Sequence, residues 1–215
     1  MTPRTIINYL HRSKIFEYAK KVSKPTLKPK HKDDRLEFAR RNYNWKNQWH
    51  SVIFSDEKKF NLDGPDGYAY YWHDLRKDKQ IFSKTQFGGG SVMIWGAIGF
   101  NGTSSLAFLS PKCNSKAYCD VLAIHLKPFL TEISYQPPIF QQDNASIHRA
   151  GNTKAWLNLN NIDTLTWPAK SPDLNIIENV WGYLSRRVYA NRRQFSHKND
   201  LIAAIEREFE IIRID

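Results

Sequence analysis

The chain has 215 residues, 41% hydrophobic and 25% charged, with a formal net charge of +11. That length can bury one sizeable core, and the composition excludes a disordered chain. No apolar run approaches the roughly 20 residues of a membrane span, and the N-terminus lacks the apolar region of a secretory signal. The two cysteines, Cys113 and Cys119, form no disulfide framework and match no common zinc spacing, although His125 follows.

The charge is unevenly placed. Residues 1–50 hold 13 Lys and Arg against 4 Asp and Glu, and the remainder holds 19 against 17. A basic N-terminal segment reads as an arm for a polyanion, with nucleic acid first and an acidic membrane surface second, and a merely solvated surface as the plainer reading. Thr2-Pro3 is a helix start, and Ile6, Ile7 and Leu10 keep helical spacing through Arg12, leaving Arg4, Asn8 and His11 on the other face. Residues 23–32, with Pro25, Pro29 and a run of lysines, resemble an extended charged linker. Arg4, Arg12, Lys14, Lys20, Lys21, Lys24, Lys28 and Lys30 are the candidate DNA contacts of this arm. A second helical pattern, 33–42, puts Leu36 and Ala39 on its apolar side, and Trp45 and Trp49 lead into the next strand.

Val52-Ile53-Phe54 is a short apolar run of the kind buried on both sheet faces, with Asp56 at its end. A carboxylate there costs several kcal/mol unless something compensates it. Residues 61–90 show no sustained period and are long for a connection. Tyr68, Tyr70, Tyr71 and Trp72 nevertheless argue against plain disorder. A strand is predicted over 91–99, with 104–109 as its partner across the Asn101-Gly102 turn, so the first three strands should be antiparallel. The next elements are a helix over 116–133, adjusted near Pro128, and a short apolar strand over 138–143 that terminates in Asp143. A helix over 149–159 and a strand over 163–166 follow. Ser171-Pro172-Asp173 then starts a helix containing Glu178, and 200–212 forms a last amphipathic helix. Strands followed by alternating helix and strand predict an α/β fold, a mixed sheet with helices on both faces.

Three carboxylates stand out. Asp56 and Asp143 end buried strands, and Glu178 lies on a helix that can pack beside them. Taken singly each has a plainer reading, as a turn residue or an ordinary helix charge. Together they form an oxygen-only ligand set suited to Mg²⁺ or Mn²⁺. Two such ions about 4 Å apart can activate an attacking oxygen and stabilise a leaving one.

Four ordered blocks carry a resemblance. They are Phe54-Ser55-Asp56-Glu57-Lys58-Lys59-Phe60, Gly88-Gly89-Gly90-Ser91-Val92-Met93-Ile94-Trp95-Gly96, Gln141-Gln142-Asp143-Asn144-Ala145 through His148, and Ser171-Pro172-Asp173-Leu174-Asn175 through Glu178-Asn179 to Trp181. They resemble the successive blocks of the Tc/mariner superfamily of DDE transposases. The 34 residues between Asp143 and Glu178 mark the Tc-like branch. Ser146 and Ile176 stand where relatives usually have proline, and neither change removes a ligand.

The resemblance implies a ribonuclease H-like fold with a five-stranded mixed sheet. It implies Asp56, Asp143 and Glu178 as catalytic residues holding two Mg²⁺ (or Mn²⁺), and a clamp-like insertion over 61–90 that contacts a partner subunit. It also implies an enzyme that cuts double-stranded DNA at transposon terminal repeats and joins the ends to a TA target, working in the nucleus as a homodimer on DNA, with no membrane partner. Residues 1–24 would be the remnant of a helix-turn-helix region, 25–48 a basic linker and helix, and 49–215 the catalytic domain, which together imply an incomplete copy. The alternatives are a catalytically silent, transposon-derived DNA-binding protein and a ribonuclease H-like nuclease acting on RNA.

Overall fold

A computed structural model describes residues 2–20, 26–64, 70–77, 90–133 and 137–214. In chain order the elements are α1 (Pro3–Arg12), β1 (Phe16–Lys20), α2 (Pro29–Asn42), β2 (Val52–Asn61), β3 (Tyr70–Asp74), β4 (Ser91–Gly99), β5 (Gly102–Thr103) and β6 (Ala107–Leu109). There follow α3 (Ser115–Val121), α4 (Lys127–Ile133), β7 (Ile139–Gln141), α5 (Gly151–Leu159), β8 (Asp163–Thr164), α6 (Ile177–Val188) and α7 (Lys198–Ile214). Residues 27–64 and 89–215 form one unit, and residues 1–26 and 65–88 another.

The larger unit is built on β2. Its ladder with β4 is antiparallel, from Phe54 opposite Ile98 to Asn61 opposite Ser91, and its ladder with β7 is parallel, as is that of β7 with β8. Both β5 and β6 pair with the other edge of β4, so the sheet has the five expected positions with its edge strand split in two. The partner strand expected over 104–109 thus begins earlier, at Gly102, and is interrupted over 104–106, where the Ser104 hydroxyl accepts from the Ala97 N–H at 2.9 Å.

Alternation along β2 assigns the two faces. Phe60 packs with Ile94, Trp181, Leu184, Ile205 and Phe209, under α6 and α7. Ile53 packs with Trp95, Tyr118, Leu122, Phe140 and Leu157, under α3 to α5. A third cluster of Phe38, Val52, Phe54 and Trp167, backed by Trp45 and Trp49, packs α2 against this unit.

Four local expectations need correction. First, β2 does not stop at Asp56 but continues to Asn61, because its ladder with β4 persists beyond the apolar run. Second, α2 begins at Pro29, whose missing N–H is no loss in a first turn. It buries Phe38, while Leu36 is half exposed and Ala39 exposed. Third, α1 buries none of its residues, and Ile6 and Ile7 are nearly half exposed. Fourth, Ser171-Pro172-Asp173 starts only a 3₁₀ turn, Pro172–Leu174, and α6 opens at Ile177. Asn175, in extended backbone, separates the two. Between α3 and α4 a π-helical stretch, Leu122–Leu126, is closed by Lys127 N–H to the Leu122 carbonyl. It lies where a regular turn would drive the Pro128 ring into a carbonyl.

In the smaller unit β1 and β3 are antiparallel, from Phe16 opposite Asp74 to Lys20 opposite Tyr70. Trp72 meets the edge of His11 at 4.8 Å and the Tyr18 ring at 5.3 Å. Residues 65–69 and 78–89 of the predicted insertion, including Tyr68 and most of the glycine run, lie outside the described residues. The part that is described supplies the strand partner of β1. A chain lacking 66–82 should therefore lose β1 along with β3. Hydrogen exchange should show lost protection over 16–20 and unchanged protection over 91–99. Retained protection at 16–20 would refute the dependence.

Candidate active site

Asp56 sits mid-strand in β2, opposite Gly96. Asp143 follows β7 by two residues, and Glu178 lies in the first turn of α6. The three come from three elements, and a knot of neutral side chains ties those elements together. The Ser55 hydroxyl donates to the Gln141 carbonyl at 2.8 Å, and the Ser55 N–H donates to Gln141 Oε1 at 3.2 Å. Asn175 Nδ2 donates to the Ser55 carbonyl at 3.1 Å, and its Oδ1 accepts from the Ile177 N–H at 3.3 Å. Ser55, Gln141 and Asn175 are all buried. Each stands one to three residues from one of the carboxylates, so the knot sets the relative positions of all three.

The sequence reading missed these residues. The available signal was polar side chains inside otherwise apolar strand and helix-start segments. Asn175→Ala removes a buried donor and a helix-start acceptor, which should cost about 1–3 kcal/mol. Denaturant unfolding would measure it, and a loss under about 0.5 kcal/mol would refute the role.

Asp56, Asp143 and Glu178 line one cleft of about 360 Å³, together with Trp167, Lys170 and Pro172. Burial, reinforced by Glu57, Glu178 and Asp143, pushes the Asp56 carboxyl up to about 7. Asp143 is lowered, chiefly by a 2.7 Å hydrogen bond from His148 Nδ1, and the Ala145 N–H also donates to it at 2.8 Å. Burial works against a charged His148 ring, but its bonds to Asp143 and Glu57 outweigh that and lift it to about 9.

All three cleft carboxylates offer hard oxygen donors, and a bound cation would relieve the like charge that Glu57, Glu178 and Asp143 place on Asp56. Among the described residues, no three His, Cys, Asp or Glu side chains stand close enough to form a ready metal cage. Cys113, Cys119 and His125 do not gather either: Cys119 faces the Asn152 carbonyl, and His125 Nδ1 lies 2.8 Å from the Ser105 hydroxyl.

Of the candidate DNA contacts, Arg4, Arg12 and Lys14 are exposed in the smaller unit. Lys28 and Lys30 are exposed at the start of α2, with Lys30 paired to Asp34 at 3.1 Å. The Lys20 side chain, Lys21 and Lys24 lie outside the described residues. Asp173, expected at a helix start, accepts from both terminal guanidinium nitrogens of Arg35 at 2.8 and 2.6 Å. That pair ties α2 to the turn before α6. Asp173→Asn should leave metal binding at the cleft unchanged in a Mn²⁺ titration, and a loss comparable to that of Asp143→Asn would contradict this.

A mixed sheet with helices on both faces and an acidic cleft beside its central strand defines a ribonuclease H-like protein. The family model for DDE superfamily endonucleases matches residues 51–202. The chain belongs to this family, within the Tc/mariner DDE transposases. It is 48% identical over 192 residues to the Tc3 transposase of Caenorhabditis elegans, covering 89% of this chain and 58% of that one. To the Tcb2 transposase of Caenorhabditis briggsae it is 34% identical over 195 residues, covering 86% and 71%. The chain thus spans less than two thirds of the Tc3 protein. The fold matches that of Mos1 transposase in a paired-end complex with left transposon end, with a TM-score of 0.68 at 17% identity, covering 98% of this chain and 67% of that one.

Proposed function

We propose that the chain carries the catalytic domain of a cut-and-paste DNA transposase, in which Asp56, Asp143 and Glu178 hold two divalent cations, Mg²⁺ or Mn²⁺. The observation that carries this reading is the convergence of three carboxylates from β2, β7 and α6 on one cleft. When bound, the cations supply activation of an attacking oxygen and stabilisation of a leaving one. The Ser55, Gln141 and Asn175 knot keeps the three ligands in register, and the partly buried position of Asp56 beside Glu57, Glu178 and Asp143 means that a cation would favour its charged form. Mos1 complexes solved with Mn and with Mg share the fold and support the choice of ions.

The substrate is double-stranded DNA bearing transposon terminal repeats, followed by a TA target, and the protein acts in the nucleus as a dimer on DNA. A clamp role for the 61–90 insertion, and the reading of residues 1–24 and 25–48 as helix-turn-helix remnant and basic linker, belong to the same proposal.

The test is cleavage of a duplex carrying the element's own terminal repeat, with Mg²⁺ or Mn²⁺. Cleavage that disappears in Asp143→Asn and Glu178→Gln supports the reading. A folded wild type that binds Mn²⁺ yet cuts nothing favours the silent DNA-binding alternative.

Binding should be mainly electrostatic. Replacing Arg4, Arg12 and Lys14 together by Ala should flatten the slope of log K against log salt by up to about 2–3, on the basis of roughly 0.9 per phosphate contact. An unchanged slope would remove these three from the DNA-binding surface.

A further inference from the structure

We propose that Glu57 is a positioning residue for Asp143, acting through His148 from the opposite face of the sheet. The inference rests on the reading of Asp143 as a metal ligand. Successive residues of β2 point to opposite faces. Asp56 therefore serves the cleft, while Glu57, opposite Trp95 in the ladder, points to the side where Trp95 and Tyr118 pack. His148 spans the two sides. Its Nδ1 lies 2.7 Å from Asp143 Oδ1, and its Nε2 lies 3.2 Å from Glu57 Oε1.

Each ring nitrogen thus meets a carboxylate oxygen, an acceptor, so both N–H groups donate. The ring is only 3% exposed and lies against the Tyr118 ring at a centroid distance of 4.5 Å. Tyr118 is fixed in turn by its hydroxyl, which donates to Gln142 Oε1 at 2.9 Å. The imidazole therefore has little freedom to swing.

On Asp143, the His148 and Ala145 donors converge on Oδ1, which leaves Oδ2 as the oxygen with which the residue would ligate. The Asp143 side chain is 55% exposed, so packing alone does not orient it. The orientation comes from the imidazole together with the Ala145 N–H, and the imidazole is anchored at its far end by Glu57. Groups hydrogen-bonded directly to a metal ligand tune metal affinity by about 10–100-fold; Glu57 acts one hydrogen bond further out, through His148, so the lower end of that range applies to it. Placing Glu57 next to Asp56 otherwise has only a cost, since it adds like charge to an already crowded site.

The test is Mn²⁺ binding to the full chain, followed by electron paramagnetic resonance, with a thermal melt of each variant. Asp143→Asn is the control and should lose the Mn²⁺ signal of the cleft. Glu57→Leu should weaken Mn²⁺ binding about 10-fold. Glu57→Gln, which keeps an acceptor for Nε2–H, should recover most of that loss, a pattern that a general packing defect would not produce. His148→Asn, too short to reach Glu57, should resemble Glu57→Leu and provides a second route if that variant does not fold. Folded Glu57→Leu or His148→Asn binding Mn²⁺ as tightly as wild type overturns the positioning role while leaving Asp143 as a ligand. Asp143→Asn binding like wild type overturns the ligand reading, and this inference falls with it.

Discussion

Asp56→Asn is expected to abolish metal-dependent DNA cleavage and, in the metal-free protein at pH 8, to raise the melting temperature. The two effects share one cause. The carboxyl is held at about 7 against an ordinary 3.8, first by burial and then by Glu57, Glu178 and Asp143. A folded-state value above the unfolded one means that the fold is favoured while the group stays protonated. That contribution is complete below about pH 4 and is lost as pH rises through about 7. Above that range the wild type carries an unfavourable, partly buried charge worth on the order of 2–3 kcal/mol after screening, whereas Asn carries none. The stability gain of the variant should therefore be near zero at pH 4, grow to pH 7 and level off. Melting curves at four pH values would measure it, and saturating Mg²⁺ should shrink it by stabilising only the wild type. A gain independent of pH would remove the electrostatic explanation. Retained cleavage would remove Asp56 from the catalytic set.

The second large effect is expected at Gly96, which faces Asp56 across the ladder. A Cβ there would stand 2.9 Å from Trp181 Cη2 and 3.2 Å from Leu106 Cδ2. Trp181 is 1% exposed in the core and lies one helical turn beyond Glu178 on α6, so its ring cannot yield without moving that helix. Gly96→Ala should cost about 1–3 kcal/mol as an overpacked core. Because the displaced element also carries a proposed metal ligand, cleavage should fall further than the loss of folded protein explains. Denaturant unfolding and cleavage at a temperature where the variant is fully folded separate the two. Wild-type stability and activity together would show that the contact is not limiting.

Much of the fold was legible because local patterns and tertiary demands agreed. The apolar run at Val52, the Asn101-Gly102 turn and the helical pattern over 116–133 each specified an element that is present. The two aspartates stood out for a related reason: an aspartate in or beside a buried strand is costly enough to need a partner. The errors fall where a long-range contact overrides the local signal. Leu36 looked like the buried residue of α2, but the aromatic cluster of Trp167, Trp49 and Phe54 selects Phe38. Ser171-Pro172-Asp173 looked like a helix start, but Asn175, held by the Ser55 carbonyl, delays the helix to Ile177. The predicted insertion read as an aperiodic connection because the partner of β3 lies more than fifty residues earlier in the chain.

The sequence by itself determined which carboxylates have the chemistry to suit a divalent cation, most of the strands and helices after Trp49, and the concentration of positive charge in residues 1–50. These depend on side-chain chemistry and on periodicities of two to four residues, which a linear chain displays directly. Only the tertiary structure decided that Asp56 lies mid-strand and that a buried Ser55, Gln141 and Asn175 knot aligns the three acids. It alone placed His148 between Asp143 and Glu57. Those relations join residues 86 to 120 positions apart in the knot and 91 apart between Glu57 and His148, through single hydrogen bonds. A hydrogen bond is specified by distance and angle in space, and neither leaves a periodic mark on the chain.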